Sequence, residues 1–166
     1  MQQVFLELVG MNLSDARRAA DMEMFHFGSA TPAPSAGGSR ETDFQFALHV
    51  QCAWRFVRNE RVWVGSRDLY HPAALSENES VPDGFDWGRD ANRRDALVAS
   101  LLEHHRRNLR VKHVQLELAG RLTIAFERDL YLEVFPDDAF AGEHWRIFAF
   151  EEGGVSFVQR GDGSPE

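Results

Sequence analysis

The chain has 166 residues and a formal net charge of −8, with 43% hydrophobic and 27% charged residues. These values are typical of one globular domain, and the acidic balance disfavours nucleic acid and anionic membranes as partners. The sequence contains no long apolar run, no signal-peptide pattern and only one cysteine. We therefore expect a single cytoplasmic domain over 1–166.

The first predicted elements are a short strand and a loop. Val4, Leu6 and Leu8 occupy alternate positions and predict a strand, because successive side chains of a strand point to opposite faces. Residues 28–40 are rich in Pro, Gly and Ser and predict a flexible loop.

The longest alternation covers residues 44–56, where the even positions are apolar and most odd positions are polar. This pattern predicts a half-buried strand, although its length leaves open a bulge or bend. His49 and Cys52 fall on opposite faces of a regular strand, so we interpret Cys52 as a buried structural residue with a raised pKa. The polar face of His49, Gln51 and Arg55 is either a solvated surface or the floor of a ligand or partner site.

A strand at Val62 and Val64 is followed by a turn that contains Asp68, Tyr70 and His71. Ser66, Asp68 and His71 are sequential neighbours without a nucleophile-elbow motif, which disfavours a catalytic triad. The next segment, 71–90, contains Pro, Ser, Asn and Gly and predicts a long loop.

One segment has helical periodicity. Apolar residues between Leu97 and Leu109 fall on one face, so we predict a helix over 91–108 with Asp90 as its N-cap. Alternation then predicts a three-stranded meander over 113–135, with hairpin turns at 119–121 and 127–129.

The sequence FPDDAFAGEHWRIF at 135–148 brings Glu143 and His144 into one predicted loop with two aspartates. Their spacing matches no known metal-binding pattern, so we predict neither a metal nor a cofactor. Arg146 and the preceding tryptophan are residue types that often anchor a protein partner. We predict a disordered tail over 161–166.

A faint internal repeat links the two halves of the chain. LELVG at 6–10 recurs as LELAG at 116–120, DMEMFHF at 21–27 resembles DLYLEVF at 129–135, and WRF at 54–56 resembles WRI at 145–147. The echoes are explained either by two related β units or by convergent strand patterning. The predicted fold class is α+β, mainly antiparallel β-sheet with one amphipathic helix.

The motifs LHVQCAWR, GSRDLY and EHWR resemble those of a family of small bacterial proteins of unassigned function, over about residues 44–148. In size and acidity the chain is also similar to the immunity proteins of bacterial toxin systems. Neither resemblance implies a ligand or a catalytic residue.

We therefore expect a non-enzymatic binding module that recognises another bacterial protein of basic charge. The alternative is a ligand-binding protein or enzyme with a pocket of histidine, arginine and acidic residues. A homodimer formed by edge pairing of strands is a third hypothesis. The candidate ligand- or partner-binding residues are His49, Gln51, Arg55, Asp68, Tyr70, His71, Glu143, His144 and Arg146.

Overall fold

The computed structural model describes residues 3–29, 31–33, 41–76, 78–151 and 153–162. Two five-stranded antiparallel sheets, a two-stranded ribbon and one main helix confirm the predicted α+β class. The helices are α1 (Gln3–Leu8) and α2 (Arg93–His105), and short 3₁₀ turns lie at Ser66–Tyr70, Arg106–Asn108 and Leu118–Gly120. The strands are β1 (Leu13–Ala19), β2 (Met22–Phe27), β3 (Thr31–Ala33), β4 (Glu41–Asp43), β5 (Phe46–Val50), β6 (Ala53–Arg58), β7 (Arg61–Gly65), β8 (Val111–Leu116), β9 (Leu122–Phe126), β10 (Leu130–Phe135), β11 (Glu143–Ala149) and β12 (Ser156–Arg160).

The strand predicted at residues 4–8 is wrong, because this segment forms α1. Val4, Phe5 and Leu8 are buried at helical spacing, whereas Leu6 is 57% exposed. In so short a segment the alternating pattern of Val4, Leu6 and Leu8 competes with a helical one, and tertiary burial selects the helix.

From Phe46 to Phe56 the long apolar alternation forms one continuous inward face but two strands. The chain leaves regular strand structure at 51–52, so that β5 belongs to the five-stranded sheet that begins with β1, which we call sheet 1, and β6 belongs to the other five-stranded sheet, sheet 2. Side chains from both sheets pack into a single core. The ring of Phe25 in sheet 1 lies 5.3 Å from that of Trp54 and 5.7 Å from that of Phe56 in sheet 2. The bend therefore carries one strand around the corner between two packed sheets.

The strand order reveals two topologically equivalent units. Sheet 1 has the order β1-β2-β5-β11-β12, and sheet 2 has the order β8-β9-β10-β6-β7. Each sheet thus combines a three-stranded meander from one unit with a hairpin from the other. Unit A comprises α1, β1, β2, β5, β6 and β7, and unit B comprises α2 and β8 to β12. The ribbon of β3 and β4 is an insertion in unit A.

The two units meet at equivalent positions just before β1 and β8. Asn12 and Arg110 form an antiparallel bridge. On either side of it, Leu13 N–H donates to the Leu109 carbonyl at 2.9 Å and Val111 N–H donates to the Met11 carbonyl at 2.8 Å. A register shift follows at the same point in each unit, in β1 and in β8. These features indicate a local pseudo-twofold axis at the bridge.

Each helix packs on the strands of the other unit. α1 contacts β8 and β11 of unit B, and the ring of Phe5 lies 5.5 Å from that of Phe157 in β12. α2 contacts β1 and β7 of unit A. A buried ion pair between Arg94 of α2 and Glu23 of β2 adds to this contact, with Arg94 Nε 2.8 Å from Glu23 Oε2.

The helix α2 begins two residues later than predicted, and the predicted N-cap Asp90 is wrong. Asn92 caps the helix, since its Oδ1 accepts from the Asp95 N–H at 2.9 Å and its Nδ2 donates to the Asp95 carboxylate at 2.8 Å. Asp90 instead takes part in a turn, where its Oδ2 accepts from the Asp86 N–H at 2.9 Å. Both residues suit a helix N-cap, and the sequence alone does not separate them.

Only one of the three sequence echoes corresponds to equivalent structure. Trp54 in β6 is opposite Val134 of β10, and Trp145 in β11 is opposite Val50 of β5, which are matching places in the two units. LELVG lies in α1 and its following turn, whereas LELAG runs from β8 into a 3₁₀ turn. DMEMFHF forms β2, whose counterpart is β9, whereas DLYLEVF forms β10.

The remaining sequence predictions concern strands and loops. The strands of the 113–135 meander and the turn at 127–129 are present as predicted. Residue 30 and residues 34–40 of the predicted 28–40 loop, and residues 163–166 of the predicted tail, lie outside the described residues. Residues 71–90, apart from residue 77, form turns and one isolated bridge. Within the described ranges, no helix has the length and apolar character needed to cross a membrane.

Candidate functional site

The structure divides the nine candidate residues into three groups. His49, Gln51, Glu143, His144 and Arg146 belong to neighbouring strands of sheet 1 or their ends. Arg55 lies on sheet 2, and the remaining three follow β7. The predicted loop at 135–148 is wrong in part, because Glu143 and His144 begin β11 rather than lying in a loop. The register between β11 and β12 shifts at the start of β11, and the side chain of His144 is buried.

The sheet 1 group lies on the face that points away from the core. Arg146 is opposite His49 in the ladder between β11 and β5. The Glu143 carboxylate binds Arg146 Nε at 2.6 Å and accepts from Gln51 Nε2 at 3.4 Å. The carbonyl of His144 accepts from the Gln51 N–H at 2.8 Å. Four of the predicted residues therefore share one surface, and His144 supports it through its backbone.

On the outer face of sheet 2, Arg55 occupies the position that Arg146 occupies on sheet 1. It is opposite Glu133 in the ladder, and its Nε lies 2.5 Å from the Glu133 carboxylate. Arg121 binds the same carboxylate at 2.9 Å. Arg55 is therefore part of a salt-bridge cluster, separated from His49 by the bend between the two sheets.

The third group stabilises the turn after β7. Asp68 accepts from the Gly65 N–H at 2.8 Å and lies 3.3 Å from Arg93 at the start of α2. The Nδ1 of His71 lies 3.1 Å from the Arg67 carbonyl. The ring of Tyr70 packs edge-on against Trp87 at 5.7 Å. These contacts connect β7, α2 and the 71–90 loop.

Cys52 lies at the bend, where it packs against the core. Burial, together with the negative charge of Asp137, raises the pKa of its thiol to about 12. A thiol with so high a pKa is a poor nucleophile, because the thiolate is the reactive form.

The outer face of sheet 1 also carries an aromatic cluster that the sequence analysis did not identify. Its members are linked ring to ring: Phe44 stacks on His26 at 4.7 Å, His26 is 6.3 Å from Phe150, Phe150 is 5.3 Å from Phe148, and Phe148 is 5.0 Å from His49. Phe150 is 43% exposed. We define the aromatic cluster as Phe44, His26, Phe150, Phe148 and His49. Alternation in β2 and β11 was a usable signal, because His26 and Phe148 have the parity of the outer face.

Both histidines of the aromatic cluster favour the neutral form. Desolvation lowers the pKa of His26 and outweighs the opposing effect of Asp15, whose carboxylate is 3.9 Å from His26 Nδ1. Desolvation lowers the pKa of His49 as well, and the positive charge of Arg146 acts in the same direction. The cluster is therefore uncharged at neutral pH, with ionic groups along its margin.

Two clefts open at the end of sheet 1 beside the aromatic cluster. The first, which we call the terminal cleft, has a volume of about 510 Å³ and is lined by Glu7, Met11, Phe44, Gln45, Phe46, Ala149, Phe150 and Glu151. The second has about 650 Å³ and shares Met11, Phe44 and Gln45 with the first. It contains Asp15 and Arg17, which form an ion pair at 2.5 Å.

In the part of the chain that the structure describes, no group of three His, Cys, Asp or Glu side chains is placed to hold a metal ion. Comparisons of the chain with protein families, with curated proteins and with solved structures give no match in any of the three.

Proposed function

We propose that this protein is a non-enzymatic recognition domain that binds a basic partner protein through the outer face of sheet 1. The observation that carries the proposal is the aromatic cluster on the outer face of sheet 1, in which Phe150 is exposed, Phe148 and His49 are half-buried, and His26 and Phe44 are buried. Contiguous apolar groups on a protein surface commonly mark a site of interaction.

The contrast between the two pseudo-equivalent sheet faces supports this proposal. On sheet 2, Arg55 and Arg121 both bind Glu133, and Arg121 also lies 3.5 Å from Glu117, so that the two arginines are paired with two carboxylates. At the corresponding place on sheet 1, Arg146 is opposite His49, and the next residue of β11 on the same face is Phe148. The same architecture thus has paired charges flanked by Tyr131 and Phe135 on sheet 2, and a chain of contacting rings on sheet 1.

The margin of the aromatic face resembles the rim of a protein interface. Arg17 pairs with Asp15 at one side and Arg146 pairs with Glu143 at the other, at 2.5 and 2.6 Å. An apolar centre surrounded by polar and charged groups is the usual anatomy of such interfaces. The separation of the nine predicted residues into three groups, each with its own structural contacts, favours binding over catalysis.

The net charge of −8 gives long-range attraction to a basic protein. Neutralisation of a basic bacterial toxin in the cytoplasm is the specific form of the proposal that this acidity and the free thiol favour.

The proposal is tested by affinity capture from cells that produce the protein naturally, with quantitative mass spectrometry of the bound proteins. The double variant Phe148→Ala/Phe150→Ala removes the exposed ring of Phe150 and the half-buried ring of Phe148. The matched control Val62→Ala/Tyr131→Ala removes apolar side chains of 57% and 37% exposure from sheet 2. Thermal melts confirm that both variants are folded.

We expect the wild type and the control to capture the same basic protein, and the aromatic variant to lose it by about tenfold or more, since buried aromatic residues dominate interface energies. The captured protein is then purified and its Kd for each variant measured. Equal capture by the two variants, or no protein that depends on the aromatic cluster, contradicts the proposal.

A further inference from the structure

We propose that the terminal cleft binds an arginine side chain of the partner protein. This inference rests on the proposed function and identifies how the partner is recognised. Two carboxylates, Glu7 and Glu151, line the cleft, while no lysine or arginine is among its lining residues. A cleft of about 510 Å³ falls within the usual range for ligand sites, roughly 300–1,000 Å³.

Neither carboxylate has a cationic partner among the described residues. Glu7 accepts a hydrogen bond from the neutral amide of Gln3 at 2.7 Å, and Glu151 is exposed at the end of β11. The adjoining cleft differs, because Asp15 is already neutralised there by Arg17. The terminal cleft therefore has two negative charges available for a cation supplied from outside.

The floor of the terminal cleft suits the rest of an arginine side chain. Phe44 and Phe46 are buried at 7% and 4% exposure, while Phe150 remains 43% exposed at the edge. Arginine packs its aliphatic stem on apolar surface and its planar guanidinium on aromatic rings, and it binds carboxylates through two parallel hydrogen bonds. Lysine lacks the planar, two-pronged donor geometry, so arginine fits this combination better.

The position of the cleft links it to the aromatic cluster. Phe44 and Phe150 belong to both, so a partner that covers the cluster also passes over the cleft. Attraction between the acidic chain and a basic partner would bring arginine side chains to this surface. The cleft thus adds a specific ionic contact at the margin of an apolar interface.

The test uses a synthetic peptide, acetyl-Gly-Leu-Arg-Leu-Gly-amide, titrated into ¹⁵N-labelled protein and followed by NMR. We expect amide shifts to change at residues 44–46 and 149–151, with weaker binding when lysine replaces arginine. The isosteric citrulline peptide, which has no charge, should bind about tenfold more weakly.

The decisive variant is Glu7→Gln/Glu151→Gln, which should weaken binding of the arginine peptide by about tenfold. The control Asp83→Asn/Glu103→Gln changes the net charge by the same amount at two exposed positions outside the cleft, and it should bind within about twofold of the wild type.

Three results would overturn the inference: no localised shifts, equal weakening by both variants, or binding of free arginine amide as tight as that of the peptide. The last would make the cleft a site for small cations. If the peptide fails while capture still depends on Phe148 and Phe150, the proposed function stands and only the arginine site is wrong. If capture fails as well, both are wrong.

Discussion

The ion pair between Arg94 and Glu23 should couple α2 to sheet 1 strongly. Its two side chains are only 5% and 2% exposed, and two guanidinium nitrogens bind the carboxylate. Removal of one partner of a buried pair leaves an uncompensated charge, which typically costs about 3–5 kcal/mol. We therefore expect Arg94→Met to lower the free energy of unfolding by about that amount, and Glu23→Met to fall at the lower end of the range because Arg94 keeps its bond to Asp95.

Neighbouring groups give only partial compensation. Arg94 Nη1 also binds Asp95 Oδ1 at 2.9 Å, but this carboxylate is 42% exposed and is shared with Arg18. Arg18, which is opposite Glu23 in the ladder between β1 and β2, already binds Asp95 at 3.0 Å and donates to the Trp87 carbonyl at 3.3 Å. The double variant Glu23→Met/Arg94→Met removes both charges and keeps the volume filled, so it should fall within about 2 kcal/mol of the wild type. The resulting coupling energy is about 4 kcal/mol or more.

Urea unfolding followed by circular dichroism measures these free energies. At a slope of about 2 kcal/mol/M, each single variant should lower the midpoint by about 1.5–2.5 M. The control is Arg89→Met, which breaks an exposed pair with Asp86 whose side chains are 87% and 49% exposed, and it should cost at most about 1 kcal/mol. If either single buried variant costs no more than this control, the reasoning about uncompensated charge fails.

Three further predictions follow from named contacts. Trp145→Phe removes the donor to the Gly120 carbonyl at 2.8 Å in the core and should cost about 1–3 kcal/mol in urea unfolding; an unchanged midpoint would show that this bond is unimportant. The lowered pKa of His26 means that the unfolded chain binds its proton more tightly, so stability should fall as pH drops below about 6.5, and His26→Phe should reduce this dependence; equal slopes for the two proteins would exclude His26 as a cause. Because the pKa of Cys52 is raised to about 12, its thiolate fraction at about pH 8 is about a thousandfold below that of an ordinary thiol, so iodoacetamide should label it that much more slowly in the folded protein than in urea; similar rates would refute this.

The sequence predicted the central strands because their inward positions are nearly all apolar. The alternation from Phe46 to Phe56 survives the bend at 51–52, which changes the sheet but not the parity of the side chains. Phe44 departs from it, because its ring stacks on His26 at the outer face. Parity also placed His49 on the outer face, where it is opposite Arg146. It could not show that Arg55, of the same parity as His49, would reach a different sheet, because that depends on the bend.

The errors have physical causes that one sequence does not reveal. The six residues of α1 contain too few turns for helical period to be distinguished from alternation. β12 contains the polar residue Gln159 at a buried position. The outer faces of β2 and β11 contain apolar or aromatic side chains. These three strands therefore lack the alternation of apolar and polar residues that is usual in a sheet with one solvated face. The aromatic cluster and the terminal cleft combine segments from distant parts of the chain, whose meeting depends on strand order.

The exchange of helices between the two units affects the order of events during translation. α2 is synthesised after β1 and β7, the strands on which it packs, and is separated from β7 by the 71–90 loop. Unit A can therefore pack against α2 as soon as this helix leaves the ribosome. α1 is synthesised first, yet its contacts are β8, β11 and Phe157 near the other end of the chain. Phe5 therefore lacks the rings of Trp145 and Phe157, on which it packs in the native fold, until nearly the whole chain has emerged.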